Sequence, residues 1–173
     1  MGRCGRKKVI ELDWWQSYNH NGIEFVLTPT QHFSGRGLTD RDGTLWGGAG
    51  SLLVNSTTSS LVATLVTFSG FKEIGDKYGP FDFTMIETGA YNSLWADIHM
   101  FPEQSVQAHI DLQGKVMMPI HNSTFDLAMH DWNEPMQKAM EISQERDVTM
   151  VSPEIGQRVE LGQPLELKPW WNL

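Results

Sequence analysis

Three of the six histidines stand where the chain leaves a predicted strand or approaches a helix. His32 ends Thr28-Pro29-Thr30-Gln31-His32, directly after an apolar run at 22–28. His121 follows a second run at 115–120, and His99 precedes a helix opened by Pro102. In layered α/β proteins ligands collect at the carboxyl ends of strands, and neutral imidazole is the commonest zinc ligand. The three side chains could therefore converge on a metal. The plainer alternative is a hydrogen-bonded loop histidine, which a lone histidine at a strand end more often is. His20, His109 and His130, in a turn, a helix and a loop, are read as structural. Spacing alone leaves the function open.

The elements that must position these residues follow from periodicity and breakers. Residues 9–15 read as a short strand, 19–22 as a turn and 22–28 as a strand broken at Pro29. Strands are expected at about 44–54 and 61–68, then a short helix over 71–78 ended by Gly79-Pro80. An apolar strand at 81–86 runs into the loop Glu87-Thr88-Gly89-Ala90-Tyr91. Pro102, at the N1 position that proline favours, opens a helix to about Leu112. A buried strand at 115–120, a helix over 133–146, a strand at 148–151 and an edge hairpin at 158–167 complete the chain. Strands followed by strand–helix–strand alternation predict α/β layers in one domain, 1–173.

The composition excludes several classes. A net charge of −8 repels phosphate backbones, so a nucleic-acid partner is not expected. The cluster Arg3, Arg6, Lys7, Lys8 reads as a solvated face. Cys4, the single cysteine, permits no intrachain disulfide and no thiolate zinc site, which suits a reducing, cytoplasmic setting. No apolar run approaches the roughly 20 residues that cross a bilayer, and the N-terminus lacks the apolar stretch of a secretory signal. Seven tryptophans, including Trp14-Trp15 and Trp170-Trp171, read as core and edge packing rather than as a lipid-facing rim.

Specific strings go further. Glu11-Leu12-Asp13-Trp14-Trp15, Thr28-Pro29-Thr30-Gln31-His32-Phe33-Ser34-Gly35-Arg36-Gly37 and Thr44-Leu45-Trp46 resemble one branch of the metallo-β-lactamase superfamily. That branch holds N-acyl-phosphatidylethanolamine-hydrolysing phospholipase D and the bacterial RomA-like proteins. The likeness continues through Gly79-Pro80-Phe81-Asp82, Thr88-Gly89-Ala90-Tyr91, His99-Met100, Val106-Gln107-Ala108-His109 and Ile120-His121, covering residues 9 to about 135. The resemblance implies half of an αβ/βα four-layer sandwich, the C-terminal half of a zinc-dependent hydrolase acting on a phosphodiester, acyl ester or lipid. It implies two zinc ions in the intact family, with His32 and His121 as metal ligands and His99 facing the substrate.

Two departures matter. The family's HxHxDH motif, which supplies four ligands, is not found in these residues, and Met1 is expected to be an internal start or the edge of a broken reading frame. The "SGDTGY" motif with its bridging aspartate is also missing; between Leu53 and Phe68 the chain runs instead through Leu61-Val62-Ala63-Thr64-Leu65-Val66-Thr67. Codons for Phe-Ser-Gly-Asp-Thr-Gly-Tyr, written TTT AGT GGC GAC ACT GGT TAC and read one base late, give TTA GTG GCG ACA CTG GTT AC, which with any following base translates as that heptapeptide. The stretch therefore reads as a compensated frameshift, real or a sequencing error, with Thr64 at the position of the lost aspartate. A neutral threonine is a poor bridge between two divalent cations.

The expected consequence is a polypeptide with weak or no zinc binding and no hydrolysis, whose uncovered sheet face invites self-association. The alternative is a non-catalytic RomA-like protein, outer-membrane associated, that affects porin levels and drug resistance. Resequencing the gene across codons 55–70 is expected to return the aspartate-containing frame or the two compensating shifts. An unshifted read that still encodes Thr64 would end the frameshift explanation.

Overall fold

The computed structural model describes residues 9–30, 37, 39, 40, 43, 51–54, 58–63, 70–163 and 168–172. Among these, six strands form one sheet in sequence order: β1 (Ser17–His20), β2 (Ile23–Val26), β3 (Ser51–Val54), β4 (Thr58–Ala63), β5 (Phe83–Glu87) and β6 (Met117–Ile120). The pairs β1–β2, β2–β3 and β3–β4 are antiparallel, whereas β4–β5 and β5–β6 are parallel. Parallel neighbours need crossovers, and helices supply them. Helix α1 (Gly70–Tyr78) joins β4 to β5, and α2 (Pro102–Asp111) joins β5 to β6. Helix α3 (Glu134–Glu145) follows β6.

The first hairpin corrects the expectation of a strand at 9–15. Trp15 adopts φ 68°, and Asp13 and Gln16 bond one another's backbone neighbourhood: Gln16 Oε1 accepts the Asp13 N–H at 2.9 Å and Asp13 Oδ1 accepts the Trp14 N–H at 2.7 Å. That local turn ends any strand before Trp15. The strand begins instead at Ser17 and turns through Asn21 (φ 52°) and Gly22 (φ 81°), the two positive-φ positions that an Asn-Gly hairpin supplies. Polar Ser17-Tyr18-Asn19-His20 hid this strand from a reading based on apolar runs.

The helices match their patterns more closely. Phe71 and Ile74 of α1 recur on one face and are buried with Val106, Ala108 and Leu112 of α2 against Phe81, Ile86 and Met117. A Cβ on Gly75 would collide with the Asp111 carbonyl, so this glycine sets how closely the two helices cross. Gln104 Oε1 accepts the Phe101 N–H at 2.9 Å and secures the start of α2. Met136 and Ala139 of α3 form a second cluster with Met150 and the fully buried Trp171. The expected strand at 148–151 is reduced to a parallel bridge of Met150 with Met117. No strand occurs among the described residues of 158–167.

Alternation along β5 and β6 shows a sheet made to be covered twice. Thr84, Ile86, Met117 and Pro119 are buried on the face that carries α1 and α2. Phe83, Met85, Met118 and Ile120 have the opposite parity, are apolar and are only half-buried. One sheet with its helical layer is the α/β half-sandwich expected from the sequence.

His109, read as structural, is indeed packed inside. It is 3% exposed, its Nδ1 lies 2.7 Å from Thr84 Oγ1, and a Cβ on Gly114 would strike its ring. Burial pushes its pKa down from 6.5 to about 4. The unfolded chain therefore takes up a proton near pH 6.5 that the native chain accepts only near pH 4. The stability this confers is complete above the unfolded value and is lost as pH falls through that window, to an extent of up to about 3 kcal/mol. Urea midpoints are expected to drop between about pH 7 and pH 5, and His109→Gln is expected to flatten that slope.

Candidate functional site

The site is built at the carboxyl ends of β5 and β6. Register pairs Glu87 with Ile120, so Glu87 and the residue after Ile120, His121, emerge side by side. Immediately beyond β5 the chain passes through Thr88-Gly89-Ala90, where Thr88 N–H donates to the Ile120 carbonyl at 2.9 Å. A Cβ on Gly89 would come within 2.5 Å of the His121 carbonyl oxygen. Only glycine lets the two loops approach this closely. His121 itself turns with φ 63°, which carries its side chain away from the strand direction.

Glu87 is the anchor. Its side chain is 2% exposed, and a buried carboxylate must be hydrogen-bonded to remain there. Oε1 accepts from His99 Nδ1 at 2.8 Å and Oε2 accepts the Met100 N–H at 3.1 Å. The Glu87 carbonyl accepts the Ser105 hydroxyl at 2.6 Å, tying the same residue to α2. His99 is thereby held by its ring, and it stacks on His121 with centroids 5.2 Å apart and planes 10° from parallel. One ligand atom from each of Glu87, His99 and His121 lies within 4.8 Å of the others. Among the described residues this is the one such group of histidine, cysteine and acidic side chains.

Of the residues singled out from sequence, the fold brings His99 and His121 together. His32 and Thr64 lie outside the described residues. Sequence reasoning placed Glu87 in a loop and gave it no role. The available signal was its position as the final residue of an otherwise apolar strand, where a carboxylate is out of place unless partnered.

His121 also lines a cavity of about 260 Å³ with Gly89, Ala90, Asn122, Phe125 and Trp132. His130, read from sequence as structural, lines it too. Its ring stacks on Tyr91 at 4.4 Å, while its Nε2 and the Asn122 Nδ2 are buried without a partner among the described residues. Tyr91 donates to Glu134 Oε1 at 2.7 Å, and Lys138 donates to the same oxygen at 2.7 Å. Burial, reinforced by the Glu134 carboxylate, pushes the Tyr91 phenol up, so it stays protonated and keeps donating. The bonds from Lys138 and Tyr91 hold Glu134 below the usual carboxylate range.

A two-metal centre does not fit the donors that the resemblance assigns here. His32 and His121 are two neutral ligands, and Thr64 offers a hydroxyl where a carboxylate should balance two divalent charges. The described donor set is different, with Glu87 and His99 beside His121. If Glu87 is the anchor, Glu87→Ala should leave the Met100 N–H unpaired and cost about 1–3 kcal/mol in unfolding free energy. The same change should release the His99 ring, read as loss of the His99–His121 proximity in NMR.

The comparisons agree with this architecture. Residues 3–122 match a family model described as "Beta-lactamase superfamily domain". The chain is similar to an uncharacterized protein of Mycobacterium tuberculosis, 40% identical over 169 residues, 96% of this chain and 45% of that protein. It is similar to N-acyl-phosphatidylethanolamine-hydrolyzing phospholipase D 1 of Caenorhabditis elegans, 30% identical across 91% of this chain and 47% of that protein. Outer membrane protein RomA of Klebsiella pneumoniae is 39% identical over 102 residues, 55% of this chain and 70% of that protein. Among solved structures, the metallo hydrolase Igni18 of Ignicoccus hospitalis shares the fold with a TM-score of 0.64 at 18% identity, over 87% of this chain and 59% of that one. The chain spans about half the length of the first two relatives. A sheet with parallel β4–β5–β6, histidines at the carboxyl ends of its strands and a family match across most of its length place the chain in the metallo-β-lactamase-fold hydrolase superfamily.

Proposed function

We propose that this chain corresponds to the C-terminal portion of a zinc-dependent hydrolase acting on a phosphodiester or acyl-ester lipid, and that this polypeptide by itself does not turn over substrate. The carrying observation is the stacked His99–His121 pair beside buried Glu87, at the strand ends where a hydrolytic metal centre belongs. The lipid class is supported by the likeness to a phospholipase D that acts on an N-acyl phosphatidylethanolamine. It is also supported by apolar Phe125 and Trp132 along the cavity next to His121. In the intact hydrolase, His121 with His32 would supply imidazoles to the metals and His99 would face the substrate. Water held between two zinc ions is acidified enough to attack an ester at neutral pH, but the donors for that arrangement are not in this chain.

The alternative is a non-catalytic protein of RomA type. The specific observation in its favour is that same donor deficit, in a chain 39% identical to RomA over 102 residues. No described helix is long and apolar enough to cross a membrane. We place the chain in the cytoplasm, as one domain, with outer-membrane association as the location under the alternative. The half-covered apolar face bearing Phe83, Met85, Met118 and Ile120 favours association of copies.

The purified polypeptide is expected to carry well under one zinc ion per chain by elemental analysis and to show no release of product from phosphodiester or acyl-ester substrates. Close to two zinc ions per chain, or measurable turnover, would refute this. Under the RomA-type reading, a porin phenotype should survive His32→Ala combined with His121→Ala.

A further inference from the structure

We propose that Glu87, His99 and His121 form a mononuclear site for a divalent transition-metal ion, with a donor set that differs from that of the two-metal centre the family resemblance assigns. The donors differ. Glu87 and His99 occupy none of the positions that the resemblance gives to ligands, and His121 alone is common to both. The proposal goes beyond the hydrolase reading and does not need it.

Three observations carry it. The first is chemical: two imidazoles and one carboxylate are the donor set of three-ligand sites that leave coordination positions open, and they suit zinc, cobalt, nickel or iron(II) rather than calcium or magnesium. The second is geometric. Ligand bonds of about 2.0–2.1 Å set donor separations of about 3.4 Å around a tetrahedral ion. The three donors lie within 4.8 Å of one another, so His121 closes on the other two. His99 Nδ1 and Glu87 Oε1, 2.8 Å apart, open by about 0.6 Å to admit an ion in place of their shared hydrogen. His99 then carries its proton on Nε2.

The third observation is how the donors are held. Glu87 is buried, and its second oxygen keeps the Met100 N–H, so the carboxylate stays oriented while its first oxygen turns to an ion. His121 is the exposed member, on the loop directly after β6. A buried carboxylate holding one imidazole, with a second imidazole at the surface, can accept an ion without disturbing the core. His121 also borders the cavity of about 260 Å³, which gives the open coordination positions access to a small ligand or water.

The test is titration of the full chain with cobalt(II) chloride, followed by visible d–d absorption, with zinc chloride competition by calorimetry. Saturation is expected at one added ion per chain, with binding weak enough that the ion is lost during purification. Glu87→Gln, His99→Ala and His121→Ala should each weaken binding by at least about 10-fold, the smaller end of what loss of supporting groups alone causes. His32→Ala should change it by less than about two-fold. Glu87→Gln retains a carbonyl oxygen for the Met100 N–H, and His121 is exposed, so these two variants are expected to keep the wild-type far-ultraviolet dichroism. The proposal is overturned if wild-type chain shows no saturable absorption, or if Glu87→Gln binds as wild type does. It is equally overturned if His32→Ala abolishes binding, which would assign the ion to the His32–His121 pair. The hydrolase reading stands or falls separately, on zinc content as purified and on turnover.

Discussion

A single buried carboxylate organises the described site. Glu87 ends β5 in a position where an ion could not survive without partners, and each of its oxygens is committed: one to His99, one to the Met100 N–H, and the carbonyl to Ser105. The two bonds to the carboxylate are charge-assisted, a kind that contributes about 1.5–3 kcal/mol each. They also do something that apolar contacts cannot, because a hydrogen bond fixes direction as well as distance. Through Glu87, the end of a strand, the loop before α2 and the first turns of α2 are locked in one geometry. The orientation of His99 is a consequence of that lock, and its stacking on His121 follows from where β5 and β6 stop.

The sheet explains why such a lock is needed here. The carboxyl ends of parallel strands have no hairpins to constrain them, so loops there must be tied by side chains and close backbone contacts. Gly89 serves the second purpose by letting the loop after β5 touch the His121 carbonyl. Tyr91, Glu134 and Lys138 extend the framework to α3, whose Pro135 lines the cavity. The opposite face of β5 and β6 remains apolar and half-covered, consistent with a sheet that in the superfamily is one of two inner layers.

How much was legible in the sequence differed by physical cause. Helices α1, α2 and α3 were read within one or two residues, since apolar spacing, Pro102 and Gly79-Pro80 are local signals. Strands β5 and β6 were found from their apolar runs. β1 was displaced because its residues are polar and its identity comes from pairing with β2 through Asn21-Gly22, a contact between strands rather than a property of either. The edge strand near Val151 shrank to a bridge for the same reason, since its hydrogen bonds depend on β6 being present beside it.

The amino-acid sequence by itself determined the superfamily, the α/β class and the histidines worth watching, because motif order, hydrophobic period and proline placement are written along the chain. The same reading finds no HxHxDH motif among these residues. Only the tertiary structure decided that Glu87 belongs with His99 and His121. These residues are separated by 12 positions in one case and by more than 20 in the other, and no periodic signal links them. Parallel register and the glycine contact bring them together, and the cost of burying a carboxylate unpaired keeps them there.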